Sequence, residues 1–260
     1  MCENILFYQV TNQVCRITLN RPDVYHALSP ELLSELTKAF QKAQSDSNVR
    51  VIVLTATGNK AFCSGADLKI GIGNATGMGE ILRVGYIPLI LTMRNMAKPI
   101  IARMNGTAVG AGCSLALACD LIVASENATM AQLFVKIGLI PDAGATFFLP
   151  RLIGYQKAFE LASTGKTLSA KECQSLGLIN EVVPEDGLDK AVNTWTDYYV
   201  QAPTLAVGQL KRLLNDSITT TLADTLEREA IVQDQLGRSE DVQEGLTAFL
   251  QKRRPNFLGK

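Results

Sequence analysis

The apolar positions mark out most of the elements before any single residue is considered. Residues 5–10 (ILFYQV) and 14–19 (VCRITL) predict two short strands, with TNQ as the hairpin connection between them. Leu32, Leu33, Leu36, Ala39, Phe40 and Ala43 then recur at helical spacing. Ser29 followed by Pro30 supplies a start for that helix, a capping hydroxyl and then a proline whose missing N–H costs nothing in the first turn. Residues 49–57 (VRVIVLTAT) are nearly continuously apolar and β-branched, the pattern of a strand buried on both faces. Strand, helix and buried strand in succession predict a mixed α/β architecture.

Further along, IGIGNATGMGE (70–80) is glycine-rich and predicts a mobile loop. Residues 98–125 predict strand, glycine-rich turn, short apolar helix, strand. ATMAQL opens another strand. Helices are expected over 155–162 and 169–175, a strand over 178–184, and a helix from Leu188. After Pro203 the pattern is helical only, which places a boundary near residue 200 between residues 1–200 and a helical part, 201–260. The chain contains no exact internal repeat and no low-complexity tract.

Composition narrows the classes of function. The 260 residues are 47% hydrophobic and 19% charged, as a well-buried globular chain requires. Lys+Arg and Asp+Glu are both 25, so no broad basic face points to nucleic acid. The six cysteines are scattered without C-x-x-C spacing and there is one histidine, His26, so no zinc or other metal site is expected. MCENILFYQV lacks the basic start of a secretory signal, and no apolar run is long enough to span a bilayer. Reduced thiols in a cytoplasmic setting are the expectation.

Several motifs fail on inspection. GAGCSL has Leu115 where a dinucleotide fingerprint needs its third glycine. STGKT has Glu160 where a phosphate loop needs its first. No G-x-S-x-G elbow exists, and Cys63 or Cys113 as nucleophile would have only His26 as base.

Asp142 stands out in KIGLIPDAGATFFLP (136–150), the one acidic residue between Glu126 and Glu160. A turn in which it bonds its own backbone explains it, and so does a base held in a dry site. Two segments, 59–69 (NKAFCSGADLK) and 105–117 (NGTAVGAGCSLAL), end strands in small residues that let a ligand approach the main chain. If the N–H groups of Ala66 and Ala111 converge, the second at a helix start, they form an oxyanion hole. Each donor of such a hole contributes roughly 3–4 kcal/mol.

ITLNRPDVYHALS, VIVLTATGNKAFCSGADL, KPIIARMNGTAVGAGCSLALACDLIVAS, GLIPDAGAT and EGLTAFLQKRRPNF together resemble the crotonase (enoyl-CoA hydratase/isomerase) superfamily from end to end. The resemblance implies a ββα spiral core over 1–200 that binds acyl-CoA and carries catalysis. It also implies a helical oligomerisation region over 201–260, with assembly as trimers or dimers of trimers. The substrate would be a thioester of coenzyme A, with no separate cofactor. The family's oxyanion donors fall on Ala66 and Ala111, where many members have glycine at the second position. Ala66, Asp67, Leu68 and Lys69 match its acyl-CoA-contacting stretch. Lys252 and Arg253 fall where a basic tail approaches the CoA phosphates, from a neighbouring subunit or not at all if they are a solvated helix face.

The glutamates of the family's hydratases match positions 114 and 134, which here are Ser114 and Phe134. Serine is no general base at its free pKa and phenylalanine cannot be one, which leaves Phe134 as lining of core or acyl pocket. Asp142 matches the single acid of family isomerases. With the tail GRSEDVQEGLTAFLQKRRPNFLGK, this is most similar to the epoxyphenylacetyl-CoA isomerases of phenylacetate degradation. The implied activity is isomerisation of an enoyl-CoA, 3-enoyl to 2-enoyl or a ring epoxide of phenylacetyl-CoA. An enoyl-CoA hydratase of fatty acid or aromatic acid degradation and a non-catalytic acyl-CoA-binding protein are the alternatives.

Overall fold

A computed structural model describes residues 4–71 and 77–260. The centre of the glycine-rich stretch expected to be mobile, 72–76, lies outside them, as does Cys2. In chain order the elements are β1 (Leu6–Thr11), β2 (Val14–Leu19), α1 (Pro30–Ser45), β3 (Val51–Ala56), β4 (Ala61–Cys63), α2 (Leu68–Gly71), α3 (Met78–Ile81), α4 (Ile87–Asn95), β5 (Ile100–Met104), β6 (Thr107–Val109), α5 (Ala111–Leu117), β7 (Leu121–Ser125) and β8 (Thr129–Ala131). Then come α6 (Ala145–Ile153), α7 (Tyr155–Thr164), β9 (Thr167–Ser169), α8 (Ala170–Ser175), β10 (Glu181–Val183) and the terminal helices α9 (Leu188–Gln201), α10 (Thr204–Ser217), α11 (Leu222–Leu236) and α12 (Glu240–Leu250).

The strands form a six-stranded sheet, β1-β2-β3-β5-β7-β10, and a four-stranded sheet, β4-β6-β8-β9. Among the described residues only β1–β2 and β8–β9 are antiparallel pairs. The first hairpin turns at Asn12 and Gln13, both at positive φ, one residue tighter than the TNQ reading. β3 explains the continuous apolar run at 49–57. Ile52 and Leu54 face the main core with Leu32, Leu36 and Phe40 of α1, while Val51 and Val53 face a second cluster with Leu188 and Val192 of α9. Removing one such fully buried ring, as in Phe40→Ala, costs about 3–5 kcal/mol.

Ser29 caps α1 as its sequence requires, its hydroxyl accepting from the Leu32 N–H at 3.2 Å. Four helices were not expected from periodicity: the single turns α2 and α3, which flank the stretch read as a loop, and the longer α4 and α6. The mean hydropathy of α4 and α6 is high and each carries a proline, which obscures the helical stripe. The strand expected over 178–184 shortens to Glu181–Val183, because the Gly177 and Leu178 N–H groups still donate back to the Gln174 and Cys173 carbonyls of α8.

Beyond Pro203 every described element is helical, but α10 is tied to the rest of the chain. Lys211, 8% exposed, donates to the carbonyls of Met93 and Lys98 and to Asp120 at 2.7 Å. Large side chains stand exposed on the following helices, with Leu222 at 75% and Phe249 at 82%. The five cysteines in the described residues are free and buried. Among the described residues no acidic, Cys or His cluster is placed to hold a metal, and no helix is long and apolar enough to cross a membrane.

Candidate active site

A cavity of about 1290 Å³ opens between α1, the α3–α4 segment and the starts of α5 and α6. Two backbone turns form its inner wall. In the first, Leu28 N–H donates to the Gly65 carbonyl at 2.7 Å and Asp67 N–H donates to the Leu28 carbonyl at 3.1 Å. That one-residue parallel bridge uses the groups on either side of Ala66, so the Ala66 N–H points away from Leu28. In the second turn, Ala111 is the first residue of α5, and its N–H has no partner within the helix. Among the described residues neither N–H finds an acceptor.

Glycines bring the two turns together. A Cβ on Gly112 would lie 2.2 Å from the Cys63 carbonyl oxygen, so α5 sits directly on β4. A Cβ on Gly65 would lie 2.8 Å from the Val109 carbonyl oxygen and 3.4 Å from the Ala111 nitrogen. Gly110 precedes the helix at φ 53°, a conformation that favours glycine. Ala111 itself is not at positive φ, so its methyl costs no backbone strain and the N–H is retained. Two free N–H groups at one wall, one at a helix start, are suited to a ligand oxygen that gains negative charge.

The loop behind Ala66 is locked by ions and an imidazole. Arg21 donates to the Ala27 carbonyl at 2.5 Å and to the Asp67 carboxylate at 2.9 Å. His26 accepts from the Arg21 N–H through Nδ1 and donates through Nε2 to the Thr57 carbonyl. Burial lowers its pKa, consistent with this neutral tautomer. Both ring nitrogens are therefore occupied, and the lone histidine has no free nitrogen for a nucleophile.

Asp142 lines the same cavity. Pro141 and Asp142 do form a turn, with Ala145 N–H donating to the Asp142 carbonyl at 3.0 Å, and Ala143 and Gly144 are both at positive φ. The side chain takes no part in it. Oδ1 is buried without a hydrogen-bond partner, and α6 has no side-chain cap. The turn reading is thus correct for the backbone and leaves the carboxyl unexplained. Burial in this apolar wall raises its pKa from 3.8 to about 6.

Of the other residues singled out from the sequence, Ala66, Asp67, Leu68, Ala111 and Phe134 line the same cavity. Asp67 does so with its carboxylate turned to Arg21, so it meets the cavity mainly as backbone. Ser114 is fully buried within α5 and donates to the Gly110 carbonyl at 3.2 Å, while the Phe134 ring covers Gly110. Lys69 is exposed and stands off the lining. Lys252 and Arg253 do not join the cavity within one chain. Arg253 is held by a bidentate pair with Glu244, and both residues are exposed. Tyr86, overlooked in the sequence, lies on the cavity wall only 3% exposed, with a hydroxyl that has no partner. It ends a π turn, Leu82–Tyr86, between α3 and α4, a local widening that periodicity cannot show.

Comparison with known proteins places this architecture. The enoyl-CoA hydratase/isomerase family profile matches residues 9–260. The chain belongs to the enoyl-CoA hydratase/isomerase family. It is 36% identical over 260 residues to a probable enoyl-CoA hydratase of Rhodobacter capsulatus, covering all of both chains. It is also 36% identical over 264 residues to the 1,2-epoxyphenylacetyl-CoA isomerase of Escherichia coli, again over both full lengths. The crystal structure of an enoyl-CoA hydratase from Bacillus anthracis superposes with a TM-score of 0.92 at 34% identity, covering 99% of this chain and all of that one. The crotonase-like fold expected from the sequence is thereby established, and hydratase and isomerase relatives stand at equal identity.

Proposed function

We propose that this member of the family isomerises an enoyl-CoA in the cytoplasm, with Asp142 as its sole acid/base. One observation carries the reading. Among the described residues, Asp142 is the cavity carboxyl that is half-buried and has an oxygen without a partner. The other two lining carboxylates are Asp67, paired with Arg21, and Glu80, on exposed α3 beside Arg83. Hydration needs one group to activate water and another to protonate carbon. The cavity offers one.

A single base suffices to move a double bond. The thioester oxygen sits between the Ala66 and Ala111 N–H groups. Asp142 removes a proton from the carbon between thioester and alkene, and charge flows to that oxygen as the dienolate forms. Asp142, now protonated, returns the proton at the far end of the conjugated system. A carboxyl with a pKa of about 6 is better matched to a carbon acid than one in water, yet still ionised near neutrality. Leu68, Phe134 and the apolar α3–α4 wall exclude water from the dienolate. The ring epoxide of an aromatic acyl-CoA is a second substrate of the same chemistry, favoured by the isomerase relative.

Assembly as a trimer or dimer of trimers through the exposed faces of α11 and α12 belongs to the same proposal. There, Lys252 and Arg253 of one copy reach the CoA phosphates bound by another. The test is to offer a 3-enoyl-CoA and follow the absorbance of the conjugated 2-enoyl ester. Its formation is expected. Failure to conjugate the 3-enoyl ester, with fast hydration of a 2-enoyl ester, would overturn the reading.

A further inference from the structure

Two residues that line the cavity each carry a buried polar atom without a partner. Tyr86 Oη and Asp142 Oδ1 are both shielded from solvent and lack partners. A buried donor and a buried acceptor left unmade are each unfavourable, so such groups are retained where another state of the protein pairs them. Tyr86 is held in place rather than loose. It closes the π turn, and Gly85 beside it lets the chain approach Leu33 of α1 so closely that a Cβ would lie 2.8 Å from Leu33 Cδ1. The charge on Asp142 contributes to raising the Tyr86 pKa, second only to burial, so the phenol stays a neutral donor.

We propose that Tyr86 is a positioning residue: once an acyl group fills the cavity, its O–H donates to Asp142 Oδ1 and leaves Oδ2 turned to the substrate. This rests on the isomerase reading for its consequence in catalysis, though not for the bond itself. It accounts for how one carboxylate can serve as base in a site from which substrate has displaced water. A bound acyl group shields Oδ2 from solvent, which makes the one available donor decisive.

The other groups that face this pair do not substitute for Tyr86. Cys63 of β4 is fully buried, and burial pushes its thiol up to about 12. Asp67 is tied to Arg21, which itself is spent on Asp67 and the Ala27 carbonyl. Lys38 of α1 and Glu80 of α3 line the cavity with their side chains well exposed, each in its own ion pair, and Lys136 at the far rim is exposed.

The experiment is a carboxyl titration by carbon-13 NMR of protein labelled at aspartate, with the Asp142 signal assigned by its loss in Asp142→Asn. Wild type and Tyr86→Phe are titrated free and with an unreactive acyl-CoA thioether. In the free proteins Asp142 is expected to titrate at the same pH, since the hydroxyl is unpaired there. In the complexes the wild-type carboxyl is expected to titrate at least one pH unit lower than in Tyr86→Phe, a tenfold difference in proton affinity, because a bond to the charged form favours it. Equal titration in the two complexes would overturn the proposal, and so would a difference already present in the free proteins. Tyr86→Phe removes only an unpaired hydroxyl, and its melting temperature checks that the fold is kept. In turnover, the acid limb of kcat should move up in Tyr86→Phe while that of kcat/KM stays. Failure of the isomerase reading is seen separately, as full activity in Asp142→Asn.

Discussion

Two aspartates, Asp67 and Asp142, line the cavity, and the fold treats them in opposite ways. Asp67 is given a guanidinium at 2.9 Å and a loop built around that pair. Asp142 is given apolar walls and an oxygen with no partner. The first arrangement spends its charge on holding the Ala66 turn in place. The second keeps a carboxylate under-solvated and therefore basic. In the proposed reaction the same residue type in the same cavity thus serves architecture at one position and proton transfer at the other, according to the partners supplied.

Exchanging those partners breaks the contrast. The largest effect is expected from Asp142→Asn, which keeps size and removes basicity. Turnover of a 3-enoyl-CoA should fall by ~10²–10⁴-fold with the affinity for the ester retained. Asp67→Ala should do the reverse in kind. It strands Arg21 in a mostly buried site, so stability should fall by about 3–5 kcal/mol, read by denaturant unfolding, with kcat and kcat/KM both lowered as the Ala66 turn loosens. Gly112→Ala is expected to follow. Its methyl meets the Cys63 carbonyl at 2.2 Å and must lift α5 from β4, at about 1–3 kcal/mol. The loss should fall mainly on kcat, because the two N–H donors move apart.

The smallest effect concerns pH. The folded pKa of Asp142, about 6, lies above its ordinary 3.8, so the folded chain binds more protons between those values. Stability contributed by the protonated carboxyl is therefore present below about pH 4 and is lost as pH rises through 6. Allowing for partial solvent screening, the loss is on the order of 1–2 kcal/mol. Asp142→Asn should accordingly be the more stable protein at pH 8 and equal to wild type at pH 4. The wild-type activity should instead rise through pH 6, since the base works ionised.

The contrast also shows what could be read from the chain beforehand. Periodicity and capping were enough for β1, β2, α1 and the buried β3, because these elements carry clean two- or 3.6-residue patterns against a core. They were not enough for α4 and α6, strongly apolar helices that each carry a proline and so show no clean helical stripe. The two N–H donors were legible as small residues after strands, and Asp142 as an isolated acid. Their meeting in one cavity was implied by the family resemblance and not by any local pattern, since it depends on glycine approaches over tens of residues in sequence. Asp67 was legible only as a cavity residue. Its partner Arg21 is distant in sequence, and an ion pair between such positions leaves no local signature. Tyr86 was invisible for a third reason, a π turn that changes which face of its helix points inward.

The measurement that bears most directly on a single acid/base is mass spectrometry of products formed in heavy-oxygen water. Wild type and Asp142→Asn would each be given a 3-enoyl-CoA and a 2-enoyl-CoA. A conjugated product of unchanged oxygen content from the 3-enoyl ester, lost in Asp142→Asn, is the predicted result. Rapid entry of heavy oxygen into the 2-enoyl ester by wild type would contradict it, and would assign the cavity to water addition.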